Sequence, residues 1–197
     1  MTNARSALFL DRDGVIVDDP GYLSRSADVS LLTGAADLIA AANTRNIPVV
    51  VVTNQSGIAR GLFDWGAFES VQQEIARQLD LSGVHLDAVI ACPFHPDFTD
   101  DYAATGSIWR KPAPGMITQA AEQLNIDTGQ SYMVGDTITD IDAAKAAGLA
   151  GAVLVQTGHG AAHTEDVGAV RCPDFSVDIA TDAFNALAHL RIRGLTI

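Results

Sequence analysis

The sequence predicts an α/β fold, a three-layer Rossmann-like arrangement around a parallel central sheet. Three observations predict it. Short apolar runs alternate with amphipathic stretches along the chain. The segment Pro48–Val52 is valine after its first residue, as a strand buried on both faces requires. Polar residues of catalytic type directly follow several of the apolar runs. At 197 residues, 48% hydrophobic and 18% charged, the chain has enough apolar material for one sizeable core. A single domain over residues 1–197 is expected.

Each element has a local reason. Ala7–Leu10 is a short apolar run closed by the turn Asp11-Arg12-Asp13-Gly14, and reads as a first strand. Gly34–Asn43 reads as a helix with Thr33 as N-cap. Pro48–Val52 is the second strand. Trp65–Leu79 carries Phe68, Val71, Ile75 and Leu79 on one helical stripe. Leu86–Ala91 is a strand, and Pro114–Leu124 a helix with proline in its first turn. Tyr132–Val134 is a short strand. Ile138–Ala147 is a helix ended by Gly148. Ala152–Val155 is a strand, and Val177–Leu190 is expected to be the last helix. Val170–Arg171 is expected to continue into one more edge strand. The connection from Cys92 to Trp109 is long and polar, which marks a working loop.

Composition narrows the function. A formal net charge of -12 disfavours nucleic acid or an anionic membrane as partner. It leaves room for a small phosphate substrate, because a bound cation and a few basic side chains reverse the field locally. Two distant cysteines, Cys92 and Cys172, make no disulfide framework, so free thiols and a reducing compartment are expected. Met1–Ser6 leads straight into the first strand without the apolar core of a signal peptide. No apolar stretch approaches the roughly 20 residues of a membrane span. A cytoplasmic monomer is the expectation.

Ligands of open parallel sheets sit outside the carboxyl ends of the strands. Four residue sets fall there or at a helix start: Asp11 with Asp13; Thr53-Asn54-Gln55-Ser56-Gly57; Arg110-Lys111-Pro112; and Gly135-Asp136 through Asp140. Taken singly, each also fits a plain structural role: a capped strand, a capping loop, a solvated lysine, or acids at the positive end of a helix. Their chemistry is complementary when they are taken together. Carboxylates from two strands hold a divalent cation through oxygen. A hydroxyl and backbone N–H groups grip phosphate oxygens. A lysine adds charge beside a transferring group.

The order and spacing of these sets resemble the haloacid dehalogenase-like phosphohydrolases, whose four motifs match Asp11-x-Asp13, Thr53, Lys111 and Gly135-Asp136-x-x-x-Asp140 over roughly Leu8–Gly148. Gly21-Tyr22, the run Thr53–Gly61, Cys92-Pro93 and Arg110-Lys111-Pro112 resemble more narrowly the D-glycero-D-manno-heptose 1,7-bisphosphate phosphatases, enzymes of lipopolysaccharide precursor synthesis, with the histidinol-phosphate phosphatases as close relatives. The resemblance implies Asp11 as nucleophile and Asp13 as acid and base. It implies Thr53 and Lys111 on the phosphoryl oxygens, and Mg²⁺ on Asp11, the Asp13 carbonyl and Asp136. Asp140 would orient Lys111 or a metal-bound water. A small phosphate ester would be the partner. Asp19, Tyr22, Asn54, Gln55, Ser56 and Arg110 would contact the rest of it. An arginine suits a second phosphate because its fork matches the oxygens.

About forty residues separate Asp13 from Thr53, too few for a cap domain of roughly 50 residues or more beside a helix and its connections. No cap domain is expected. Two departures from the family stand out. Its structural zinc uses a Cys-x-His and a Cys-x-Cys pair, but here Phe94 takes the histidine position and Ser107 and Trp109 take the later pair. Cys92 and His95 alone do not close a tetrahedral site, so no structural zinc is expected. Phe94, Phe98, Tyr102 and Trp109 would pack the loop instead. Thr137 stands where the family commonly has a phosphate-contacting lysine. This leaves open another sugar phosphate, histidinol phosphate or another phosphomonoester as substrate. A Mg²⁺-dependent phosphoacceptor or binding module on the same fold is the rival class, and Asp13 argues against it. His85, His159, His163 and His189 read as surface or loop residues; Gly158-His159-Gly160 follows a strand, where it would border the site or form a flexible turn, and the turn is the expectation.

Overall fold

β1 (Leu8–Leu10) is fully buried at the centre of a sheet, between β2 (Val49–Asn54) and β4 (Tyr132–Gly135). β3 (Ala88–Cys92) flanks β2, while β5 (Gly151–Val155) and β6 (Ser176–Ala180) continue beyond β4. The order is β3-β2-β1-β4-β5-β6 and every pairing is parallel. The structure, a computed structural model, describes residues 4–98, 103–195 and 197.

Successive strand residues face opposite sides, and the core divides accordingly. Leu8, Leu10, Val49 and Val51 pack with α1 (Ala35–Thr44), α2 (Trp65–Leu81) and α8 (Ala183–Ile192). Phe9, Val50 and Val52 pack on the other face with α4 (Gly115–Leu124) and α5 (Ile138–Ala146). Burial on both faces explains why the β2 run is apolar at every position rather than alternating. Three short helices, α3 (Ala103–Trp109), α6 (Gly160–His163) and α7 (Val167–Val170), sit in connections. Among the described residues no second folded unit interrupts the sheet, so no cap domain lies over the strand ends.

Register places the functional residues. Leu10 pairs with Val51 and with Val134, so Asp11, Thr53 and Asp136 emerge together at the carboxyl edge. The strand order reverses at the β1–β4 junction, where a doubly wound sheet opens its ligand crevice.

Four expectations need correction. Val177–Leu190 is not one helix. Ser176–Ala180 pairs in parallel with β5, and α8 starts only after Asp182, whose side chain accepts from Asn185 N–H at 2.8 Å. The edge strand is therefore β6, and Val167–Val170 is a helical turn rather than its start. Thr33 does not cap α1: Gly34 occupies the N-cap in left-handed backbone (φ 86°), and no side chain caps there. The Cys92–Trp109 connection ends in α3 rather than staying irregular.

Candidate active site

The sequence-predicted residues Asp11, Asp13, Asp19, Tyr22, Thr53, Asn54, Gln55, Ser56, Arg110, Lys111 and Asp136 all line one cavity of about 290 Å³. Arg12, Phe63, Thr137, Thr139 and His159 line it too.

Asp11 is the floor. Its Oδ1 accepts from its neighbour Arg12 N–H at 2.7 Å and stands 2.8 Å from Lys111 Nζ. That leaves Oδ2 without a donor among the described residues. Burial pushes the Asp11 carboxyl well up, Lys111 pulls it back, and Asp140, Asp136 and Asp13 push it further up. Lys111 is itself buried. Desolvation would lower its ammonium, but the carboxylates of Asp11 and Asp140 outweigh that and raise it, so it stays charged. Its Nζ also donates to Val52 O at 2.8 Å and lies 2.6 Å from Asp140 Oδ1. The backbone of Lys111 is clamped in turn, with its N–H donating to Asn54 Oδ1 at 3.0 Å and its carbonyl accepting from Asn54 Nδ2 at 3.1 Å. Asn54, expected to contact substrate, thus spends its amide on placing the lysine.

Asp140 is fully buried in the first turn of α5, where its Oδ2 accepts from Thr137 N–H at 3.0 Å and Thr137 Oγ1–H at 2.7 Å. Thr137 is therefore occupied in capping. Asp136 follows β4, and its Oδ2 accepts from His159 N–H at 2.8 Å. Burial, reinforced by Asp140, raises Asp136 to about 6, against the opposing pull of His159 N–H and Lys111.

Asp11, Asp136 and Asp140 each offer an oxygen, all within 4.8 Å of one another. Two glycines make room for this cluster. A Cβ on Gly14 (φ +77°) or on Gly158 (φ +55°) would collide with Asp136 Oδ2. Buried, mutually repelling carboxylates in a cradle emptied of side chains fit a hard divalent cation with oxygen ligands. The Asp13 carboxylate lies apart from the cluster, turned onto Arg12 Nη2 at 2.8 Å and Gln55 Nε2 at 2.9 Å. Gln55 Nε2 also donates to Thr53 Oγ1 at 2.8 Å, so Gln55, expected at the substrate, ties Thr53 to Asp13.

At the mouth, His159 Nε2 meets Asp19 Oδ2 at 3.1 Å, and Thr157 Oγ1–H donates to Gly14 O at 2.6 Å. His159 is thus a wall residue: the segment after β5 borders the cavity and is more than the flexible turn expected. Its place shortly after β5, at a strand end, is the signal in the sequence for that position. Arg110 Nη1 donates to Phe94 O at 3.1 Å, which anchors it to the loop beyond β3. Tyr22 is exposed at the rim, and Ser56 lines the same wall.

The two residues left from the zinc pattern have other partners. Cys92 Sγ faces Gly106 O at 3.7 Å, and His95 Nε2 faces Arg60 Nη2 at 2.7 Å. Arg60 lies over Phe98 at 5.3 Å, and His95 meets Phe98 edge-on at 5.4 Å. Phe94 and Trp109 pack against the core on the α4 side. Tyr102 lies outside the described residues.

Comparison with known proteins agrees with this geometry. A family model described as HAD-hydrolase-like matches residues 108–183. The D-glycero-beta-D-manno-heptose-1,7-bisphosphate 7-phosphatase of Mesorhizobium japonicum is 46% identical over 76% of this chain and 69% of its own length. That of Yersinia pestis is 42% identical over 80% and 84%. The D,D-heptose 1,7-bisphosphate phosphatase of B. bronchiseptica, solved with magnesium and phosphate, superimposes with a TM-score of 0.82 at 32% identity, covering 96% of this chain and 99% of that one. The chain belongs to the haloacid dehalogenase-like hydrolases, in the branch of the heptose bisphosphate phosphatases. It is a phosphoric monoester hydrolase.

Proposed function

We propose that this single-domain enzyme removes the C7 phosphate from D-glycero-β-D-manno-heptose 1,7-bisphosphate through a phosphoryl group carried on Asp11. The observation that carries the reading is Asp11 itself: one oxygen is held by Lys111 and the Arg12 N–H, and the other is free at the bottom of the cavity. The relatives' names support the substrate.

Asp11 Oδ2 attacks phosphorus while the bond to the sugar oxygen breaks, and Asp13 gives the departing alkoxide its proton. Asp13 then takes a proton from water as that water attacks phosphorus, freeing phosphate and restoring the Asp11 carboxylate. Thr53 Oγ1 and Lys111 Nζ steady the phosphoryl oxygens as charge redistributes over them. Asp11, Asp136 and the Asp13 carbonyl would hold Mg²⁺, whose charge offsets the repulsion between a carboxylate nucleophile and a phosphate dianion. Asp140 fixes Lys111. Arg110, Ser56, Tyr22 and Asp19 face the remainder of the sugar phosphate.

Phosphate release with Mg²⁺, measured over both anomers of heptose 1,7-bisphosphate, other sugar phosphates and histidinol phosphate, tests the proposal. Preferred turnover of the β-bisphosphate is expected. Preferred turnover of histidinol phosphate or of a monophosphate would overturn the substrate assignment. No turnover of any ester would favour a phosphate-binding module.

A further inference from the structure

The Arg12 side chain takes no part in the chemistry just described, yet it is the largest fully buried one among the described residues, 1% exposed. Burying a guanidinium carries a desolvation penalty that an apolar side chain filling the same space would avoid. Every polar contact of this guanidinium is directed. Nε donates to Asp13 Oδ1 at 3.0 Å and Oδ2 at 3.1 Å, and Nη2 donates to Asp13 Oδ1 at 2.8 Å. Nη2 also donates to Gln55 Oε1 at 3.2 Å, and Nη1 to Gln72 Oε1 at 3.3 Å. Its plane lies over the Phe68 ring at 5.5 Å. Gln72 and Phe68 both belong to α2, whose apolar stripe is locked into the core.

We propose that Arg12 is a positioning residue that sets the Asp13 carboxylate for proton transfer, transmitting the rigidity of α2 to a side chain that among the described residues is otherwise held by Gln55 alone. A guanidinium fork fixes both the place and the plane of a carboxylate, which a point charge cannot do. Gln55 completes the setting from the opposite side and joins it to Thr53, so acid/base and phosphoryl grip share one buried frame. The inference rests on the reading of Asp13 as acid and base.

Leaving-group dependence tests it. The ratio kcat/KM reports the steps through leaving-group departure. A sugar alkoxide needs a proton from Asp13, whereas p-nitrophenolate departs without one. Arg12→Met is expected to lower kcat/KM for the heptose bisphosphate at least tenfold more than for p-nitrophenyl phosphate. Arg12→Lys keeps the charge and loses the fork, so it shows the same selectivity at smaller size; it decides the matter where Arg12→Met does not fold. Equal losses on both substrates for the folded Arg12 variants, with a selective loss in Asp13→Asn, overturn this inference alone. An equal loss in Asp13→Asn overturns the acid/base reading, and this inference with it.

Discussion

Asp140 holds Lys111 Nζ at 2.6 Å inside the protein, with Asp140 fully buried and Lys111 opening only onto the cavity. The pair joins α5 to the segment leading into α4, and it keeps the ammonium 2.8 Å from Asp11 Oδ1.

Removing the acid leaves a buried cation with one carboxylate in place of two. Breaking a buried ion pair from one side costs about 3–5 kcal/mol. Asp140→Ala is therefore expected to destabilise the fold by about that amount in urea denaturation, and to depress kcat strongly because Lys111 is no longer aimed. Wild-type stability would show that Lys111 does not depend on Asp140.

Gly14 is required for space as well as for backbone. A Cβ there strikes Asp136 Oδ2, and φ +77° disfavours any side chain. Gly14→Ala is expected to weaken Mg²⁺ binding in calorimetry at least tenfold while the sheet persists in far-UV circular dichroism. Unchanged affinity would remove Asp136 from the metal ligands.

The raised carboxyl of Asp136 gives a signed pH dependence. It titrates at about 6 in the folded protein and near 3.9 when unfolded, so the folded state holds the proton more tightly. Above pH 6 the ionised group lowers the stability of the Mg²⁺-free protein. Stability returns as pH falls from 6 towards 4, by on the order of 3 kcal/mol. Asp11 acts in the same direction. Mg²⁺ relieves the repulsion only when the acids are ionised. Its addition is expected to raise Tm more at pH 7.5 than at pH 5, and equal increments would contradict the cluster's role.

Asp182 offers a control remote from the cavity. It caps α8 through Asn185 N–H at 2.8 Å, and caps of this kind contribute about 1 kcal/mol. Asp182→Ala is expected to lower Tm by a few degrees with kcat/KM unchanged.

The same cap shows where reading the sequence falls short. Val177 and Ala180 have the i,i+3 spacing of a helix face, although in β6 they pack on opposite sides of the sheet, and only Thr181-Asp182 marks the break. The valine strand and the carboxyl-edge residues Asp11, Thr53 and Asp136 were legible, because a parallel sheet presents its strand ends as one surface. Lys111 was legible by motif, but its clamp by Asn54 was not, since that contact joins residues 57 apart in sequence. Arg12 was illegible for another reason. A charged residue between two acids reads as solvated, and its burial depends on α2, far along the chain, supplying Gln72 and Phe68. The residues expected to contact substrate were named as a group, yet Asn54 and Gln55 turn their amides to protein partners.

Phosphorus is expected to pass through Asp11 on its way to water. Rapid acid quench of Asp13→Asn during turnover of phosphorus-labelled p-nitrophenyl phosphate, whose leaving group departs without a proton from residue 13, followed by peptide mapping, tests this route. Label is expected on the peptide carrying Asp11, because the proton acceptor for hydrolysis is missing, and none in Asp11→Asn. Phosphate release without any label on Asp11 would contradict it.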